Sequence, residues 1–244
     1  MTVSALIPAR LNSTRLEKKL IKNLGGIPVI VRTYQNICST KLFDEVVVVT
    51  DSDDIINVLK EFDIKFLKSK EDHNTGTDRI AEFSNKFKSD IIINVQGDEP
   101  FVLKEDLSKI INTFKNDIEN KINVISLMTK LISAEEINNP NNVKVVVDKN
   151  NNALMFSRSI IPYKRVKNNV NYFKHIGIYA FRNSFLNKFK KFKQTNLELT
   201  EMIEALRIIE HGYNIHMIEI DHEQISIDTI DDFNKAKSML NKKW

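Results

Sequence analysis

The 244-residue chain carries 36 Lys and Arg against 32 Asp and Glu, a formal net charge of +4, too small an excess to mark a nucleic-acid binder. With 42% apolar and 28% charged residues it has an ordinary globular composition, and its length suffices for one α/β domain with a substantial core. Cys38 is the only cysteine, which excludes an intrachain disulfide and a multi-cysteine zinc site.

No apolar run approaches the roughly 20 residues of a membrane span. The first residues, MTVSALIPAR, lack the basic start and longer apolar stretch of a signal peptide. The expectation is a cytoplasmic protein with no membrane insertion and no nucleic-acid partner.

In chain order, strands are expected at Val3–Pro8, Glu45–Thr50, Ile64–Leu67 and Asp90–Val95. Amphipathic segments separate them near 27–38, 53–62 and 77–87. Val46-Val47-Val48-Val49 is apolar throughout, as a strand buried on both faces must be. Such alternation predicts an α/β fold with a parallel, doubly wound sheet. In the second half, strands are expected at Ile122–Lys130, Asn142–Asp148 and Tyr172–Phe181, and helices at Glu198–His211 and Ile230–Leu240. A turn is expected at Asn150–Asn152 and an exposed loop at Lys164–Asn171. With no repeat, linker or composition break, residues 1–244 read as a single domain.

In an open parallel sheet, ligands bind beyond the carboxyl ends of the strands. After the first strand, IPARLNSTRLEKK offers Arg10, Arg15, Lys18 and Lys19 with two hydroxyls. Guanidinium forks and a flexible ammonium suit phosphate oxygens, although a solvated basic loop has the same composition. No GxxxxGK[ST] or GxGxxG motif is present. IINVQGDEP ends an apolar strand in Gly97, Asp98 and Glu99. Adjacent carboxylates there call for a cation, and Mg²⁺ uses one or two carboxylates plus phosphate oxygens; an exposed acidic turn is the alternative. NTGTDR opens a helix and offers an anion site at Thr77 and Arg79, or simply a capped helix. SIDTIDD places Asp228 at the end of a short strand, with Thr229 and Asp232 at capping-box spacing.

These stretches, together with NPNNVKVV, FSRSIIPY and HIGIYAFR, stand in an order that resembles the 3-deoxy-manno-octulosonate (KDO) cytidylyltransferases, also called CMP-KDO synthetases, nearly end to end. The resemblance implies a Rossmann-like nucleotidyltransferase fold, with a mostly parallel mixed sheet flanked by helices. It implies a Mg²⁺-dependent homodimer that joins CTP to an acidic eight-carbon sugar, for lipopolysaccharide biosynthesis. A dimerisation and sugar-binding portion would lie within about 120–182. In that pattern Arg10, Lys19, Asp98 and Asp228 are catalytic, and Asp98 and Asp228 bind the metal. Ala9, Arg10, Ser13, Arg15, Lys19, Gly76, Thr77 and Arg79 line the nucleotide pocket, while Gln96, Arg158, His175 and Tyr179 line the sugar pocket.

Two departures stand out. Arg15-Leu16-Glu17-Lys18-Lys19-Leu20-Ile21 replaces the family's Arg-Leu-Pro-Gly-Lys-Pro-Leu, and Ala205 stands where the family has Gln. The first leaves open a catalytically inactive nucleotide-binding homologue. The second leaves open a KDO analogue, such as 8-amino-3,8-dideoxy-manno-octulosonate, or another acidic sugar.

Overall fold

The computed structural model describes residues 1–13, 15–166, 170–222 and 224–242. The chain folds as two compact units, Met1–Ser108 with Gln224–Trp244, and Lys109–Glu223.

The first unit begins with β1 (Val3–Ala9), buried at every residue. A 3-10 turn at Lys19–Ile21 and a hairpin of β2 (Asn23–Leu24) and β3 (Ile27–Pro28) lead into α1 (Val29–Ser39). Next come β4 (Glu45–Thr50), α2 (Asp53–Glu61), β5 (Phe66–Lys68), α3 (Gly76–Ala81), β6 (Ile91–Asn94) and the first residues of α4 (Lys104–Asn116), whose remainder belongs to the second unit. β1 pairs in parallel with β4 on one side and β6 on the other, and β4 pairs with β5. The two β1 neighbours carry Val47–Val49 and Ile91–Ile93, all fully buried, as expected where helices cover both faces of a parallel sheet. α2 begins where the Ser52 hydroxyl accepts from the Ile55 N–H, with Asp53 and Asp54 in its first turn. Its Ile55, Ile56 and Leu59 face the core.

The second unit contains β7 (Val124–Leu131), α5 (Ala134–Asn138), β8 (Lys144–Val147), β9 (Ala153–Ser157), β10 (Tyr172–Arg182), α6 (Asn183–Phe189), α7 (Asn196–Glu201), α8 (Ala205–Glu210) and β11 (His216–Ile220). β7 lies antiparallel to β10 and parallel to β11, and β8 lies antiparallel to both β10 and β9. The β10–β7 register shifts between Ile176 and Tyr179, a bulge that includes Gly177. α9 (Ile230–Lys242) returns to the first unit.

The α/β class and the mostly parallel mixed sheet are as expected; the described antiparallel pairs are the β2–β3 hairpin and those of the second unit. Local chemistry explains the differences. The single helix expected over Glu198–His211 is two, because Met202 is left-handed (φ 55) and ends α7. The helix expected near 77–87 stops at Ala81 and resumes as a 3-10 turn at Ser84–Lys86. Asp228 does not end a strand; its segment is irregular. Lys167–Asn169 of the expected exposed loop lie outside the described residues, as does Thr14. Among the described residues, no helix is long and apolar enough to cross a membrane.

Candidate active site

At the carboxyl end of β1 the chain passes from buried Ala9 to exposed Arg10. Leu16 and Leu20 are buried and pin the following loop, while Ser13 is half-buried. Between the two leucines, Lys18 is left-handed (φ 52, ψ 31) and turns the chain into the Lys19–Ile21 turn. This conformation aims Lys19 inward. Its Nζ donates to Asp98 Oδ2 and, at 2.8 Å, to Asp228 Oδ1. Arg15 Nη2 lies 3.0 Å from the same Asp228 oxygen.

Two backbone contacts bring the carboxylates together. The Ile227 N–H donates to the Asp98 carbonyl at 2.9 Å, seating the segment before Asp228 beside the end of the β6 strand. The Thr33 hydroxyl lies 2.8 Å from the Gly97 carbonyl and fixes that turn from α1. Gly97 is dictated by proximity: a Cβ would stand 3.0 Å from Ile30 Cδ1 and 3.2 Å from the Pro8 carbonyl oxygen. Asp232 Oδ2 then accepts from the Thr229 N–H at 2.8 Å, while the Thr229 hydroxyl accepts from the Asp232 N–H. This reciprocal cap, with Asp in place of Glu or Gln, starts α9.

The electrostatics follow from the geometry. Burial disfavours the Lys19 ammonium, but Asp98 and Asp228 outweigh it and raise the lysine's pKa above its ordinary value. Burial likewise disfavours the Asp228 carboxylate, but Lys19 and then Arg15 outweigh it and lower its pKa. Among the described residues no group of three or more His, Cys, Asp or Glu side chains gathers as a metal cage. Two converging carboxylates with one cation between them nonetheless have the hard-oxygen donor chemistry that suits Mg²⁺ when phosphate and water complete the set. The residues fit the ion.

A second cluster lies beside β1 and β6. Gly76 packs so tightly that a Cβ would meet Gln96 Oε1 at 3.0 Å and Pro8 Cγ at 3.1 Å. Gln96 Nε2 donates to Asn94 Oδ1, and Asn94 Nδ2 donates to the buried Thr77 hydroxyl. Arg79 is buried, with Nη1 2.6 Å from Asp51 Oδ1. Gly76 and Gln96 are therefore neighbours, whereas Thr77 and Arg79 face protein groups behind them.

In the second unit, His175 and Tyr179 adjoin, with ring centroids 5.3 Å apart. The Ser126 hydroxyl lies 3.1 and 2.9 Å from the Ile176 and Ile178 carbonyls, so its one proton goes there and its oxygen accepts from His175 Nε2 at 3.0 Å. Burial pushes the imidazole pKa down to about 3. Tyr179 is held well above the ordinary phenol value by burial and then by the Glu204 carboxylate. Arg158 is clamped: its Nε donates to the Glu201 carbonyl at 2.8 Å and Nη1 to the Pro140 carbonyl at 3.1 Å. Beneath it the buried Lys144 Nζ donates to the Arg158 and Asn139 carbonyls. Ala205 is completely buried at the start of α8, beside the buried Leu206, Arg207 and Ile208.

Sequence reasoning passed over Asp51, Thr33, Ser126, Ile227 and Lys144. Only Asp51 carried a signal, as a carboxylate directly after the apolar strand that ends at Thr50. The others act through contacts between segments distant in sequence.

The cytidylyltransferase family model matches residues 4–220. A 3-deoxy-manno-octulosonate cytidylyltransferase of Flavobacterium johnsoniae is 49% identical, covering 98% of this chain and 99% of the relative. A protein of the same name from Christiangramia forsetii is 45% identical, covering 98% and 97%. A solved structure of CMP:2-keto-3-deoxy-manno-octonic acid synthetase complexed with CTP is 33% identical over the whole of both chains, with a TM-score of 0.93. Near-complete coverage by relatives of one name, over a chain that brings Lys19, Asp98 and Asp228 together, makes this chain a member of the 3-deoxy-manno-octulosonate cytidylyltransferase family.

Proposed function

We propose that the chain transfers a cytidylyl group from CTP to 3-deoxy-D-manno-octulosonate, giving CMP-KDO and pyrophosphate for lipopolysaccharide biosynthesis. The observation that carries this reading is the end-to-end likeness to relatives bearing that name, 49% and 45% identical. The geometry supports it, because the altered 17–20 segment still delivers Lys19 to both carboxylates.

The triphosphate brings several negative charges to the carboxyl ends of β1 and β6. Arg10, Arg15 and Lys19, with the Ser13 hydroxyl and the Ala9 backbone, form its cradle. As the sugar's anomeric hydroxyl attacks the α-phosphorus, the bond to pyrophosphate breaks and charge grows on the leaving group. Lys19 and the two guanidinium groups, placed beforehand, stabilise that charge. Mg²⁺ on Asp98 and Asp228 would supply further charge neutralisation and orientation of the phosphates. Gly76 and Gln96 form pocket wall, while Thr77 and Arg79 brace it through Asn94 and Asp51. Arg158, His175 and Tyr179 form the wall of the sugar pocket, held in place by their own protein partners. His175, neutral at physiological pH, holds that wall through its bond to Ser126 and brings no positive charge to it.

The enzyme works in the cytoplasm as a homodimer. Another acceptor is not favoured, because the full-length relatives share one name despite these departures. Incubating the protein with CTP, Mg²⁺ and a panel of acidic sugars should release pyrophosphate with the highest kcat/KM for KDO. Release with another sugar alone, or none from folded protein, rejects the assignment.

A further inference from the structure

The ammonium of Lys19 stands between the carboxylates of Asp98 and Asp228, within hydrogen-bond reach of both. That is where the charge of a divalent ion held by the same pair must act. Two facing carboxylates repel each other without a cation between them, and here the cation is a side chain of the protein. The backbone of Lys19 is fixed by the turn and by buried Leu16 and Leu20, but its side chain is a flexible four-carbon stem. Arg15, half-exposed at 3.0 Å from Asp228, reinforces the arrangement from the solvent side. The carboxylates are therefore held in place by a group that can leave without unfolding the loop.

We propose that Lys19 is a built-in counter-ion, which keeps divalent metal off Asp98 and Asp228 until a nucleoside triphosphate draws the ammonium onto its phosphates. The same lysine then serves two states. With the site empty of nucleotide it offsets the carboxylates, and a metal ion must displace a bound cation to enter. With nucleotide present the phosphate oxygens take the ammonium, and the carboxylates turn to the metal. By linkage, nucleotide strengthens metal binding by the factor by which metal strengthens nucleotide binding. This coupling rests on the cytidylyltransferase reading for the identity of the triphosphate, but its first half concerns the protein and metal alone.

The test is Mn²⁺ binding without nucleotide, read by the loss of the free-ion electron paramagnetic resonance signal. Wild type should bind weakly. Lys19→Met and Lys19→Gln should bind at least about tenfold more tightly, within the roughly 5- to 150-fold range usual for coupled sites. Lys19→Arg, which keeps the charge, should remain weak, and adding Asp98→Asn to Lys19→Met should abolish the gain. Mn²⁺ should also raise the Tm of Lys19→Met more than that of wild type, which gives a readout even where removing the lysine lowers stability. Lys19→Met and Lys19→Gln binding no more tightly than wild type, or Lys19→Arg binding as tightly as they do, overturns the proposal. Failure of the cytidylyltransferase assignment would show separately, as wild type releasing no pyrophosphate.

Discussion

The loop after β1 and the pocket residues of the second unit handle charge in opposite ways. Around Lys19 the partners are half-buried carboxylates on two irregular segments, so a ligand can exchange one ion for another with little backbone movement. Around Arg158 and His175 the partners are mostly backbone carbonyls and a hydroxyl of the same unit, which no ligand replaces. The difference teaches that a charged residue at a strand end is not one kind of evidence. Its partner decides whether it is available to a substrate or already part of the scaffold.

The largest effect that tests this contrast lies in the scaffold. Arg207 donates to Glu198 through Nε at 2.8 Å and Nη2 at 2.5 Å, with only 2% and 3% of the two side chains exposed. Arg207→Met should cost about 3–5 kcal/mol in urea unfolding, because it leaves a buried carboxylate unpaired. A loss comparable to that of a surface substitution would erase the distinction between fixed and exchangeable pairs.

His175 gives a smaller, pH-dependent effect. Its folded pKa of about 3 lies below the unfolded value of 6.5, so as pH falls through 6.5 the unfolded chain takes up a proton that the folded chain refuses. Stability should therefore drop by about 1 kcal/mol between pH 7 and 5.5. The drop should be absent in His175→Asn, measured as urea midpoints at the two pH values. Equal drops in both proteins would place the histidine in solvent.

The smallest effect concerns Lys18, left-handed where the resembling family carries glycine. A side chain there costs about 1–2 kcal/mol of strain, partly offset because glycine loses more freedom on folding. Lys18→Gly should stabilise the protein by about 0.5–1 kcal/mol in the same assay. A destabilisation would show that the turn is not strained.

Much of the fold was legible where the pattern was local. Val46–Val49 and Ile91–Ile93 announced buried strands, and the apolar spacing within 53–62 announced α2. The break at Met202 left no mark, because a methionine, unlike glycine or asparagine, gives no sequence signal of a left-handed turn. β11 was missed because its five residues, HMIEI, carry too short an apolar signal to stand out from the loops around them. In the site, residue chemistry exposed the basic loop and the Gly-Asp turn. The meeting of Asp98 and Asp228 was not legible from spacing, since it depends on one backbone bond from Ile227 across 129 positions. The burial of Ala205 was equally hidden, since it follows from how α8 packs and not from the residue's spacing.

The central claim is that Asp98 and Asp228, 130 positions apart, form one functional unit. It is tested most directly by the steady-state rate of pyrophosphate release from CTP and KDO by Asp98→Asn, Asp228→Asn and the double variant. Each single change should lower kcat/KM by about 10²–10³, and the double variant should be little worse than the poorer single, as for residues that act together. Single variants near the wild-type rate, or a double variant whose loss is the product of the two, would contradict it.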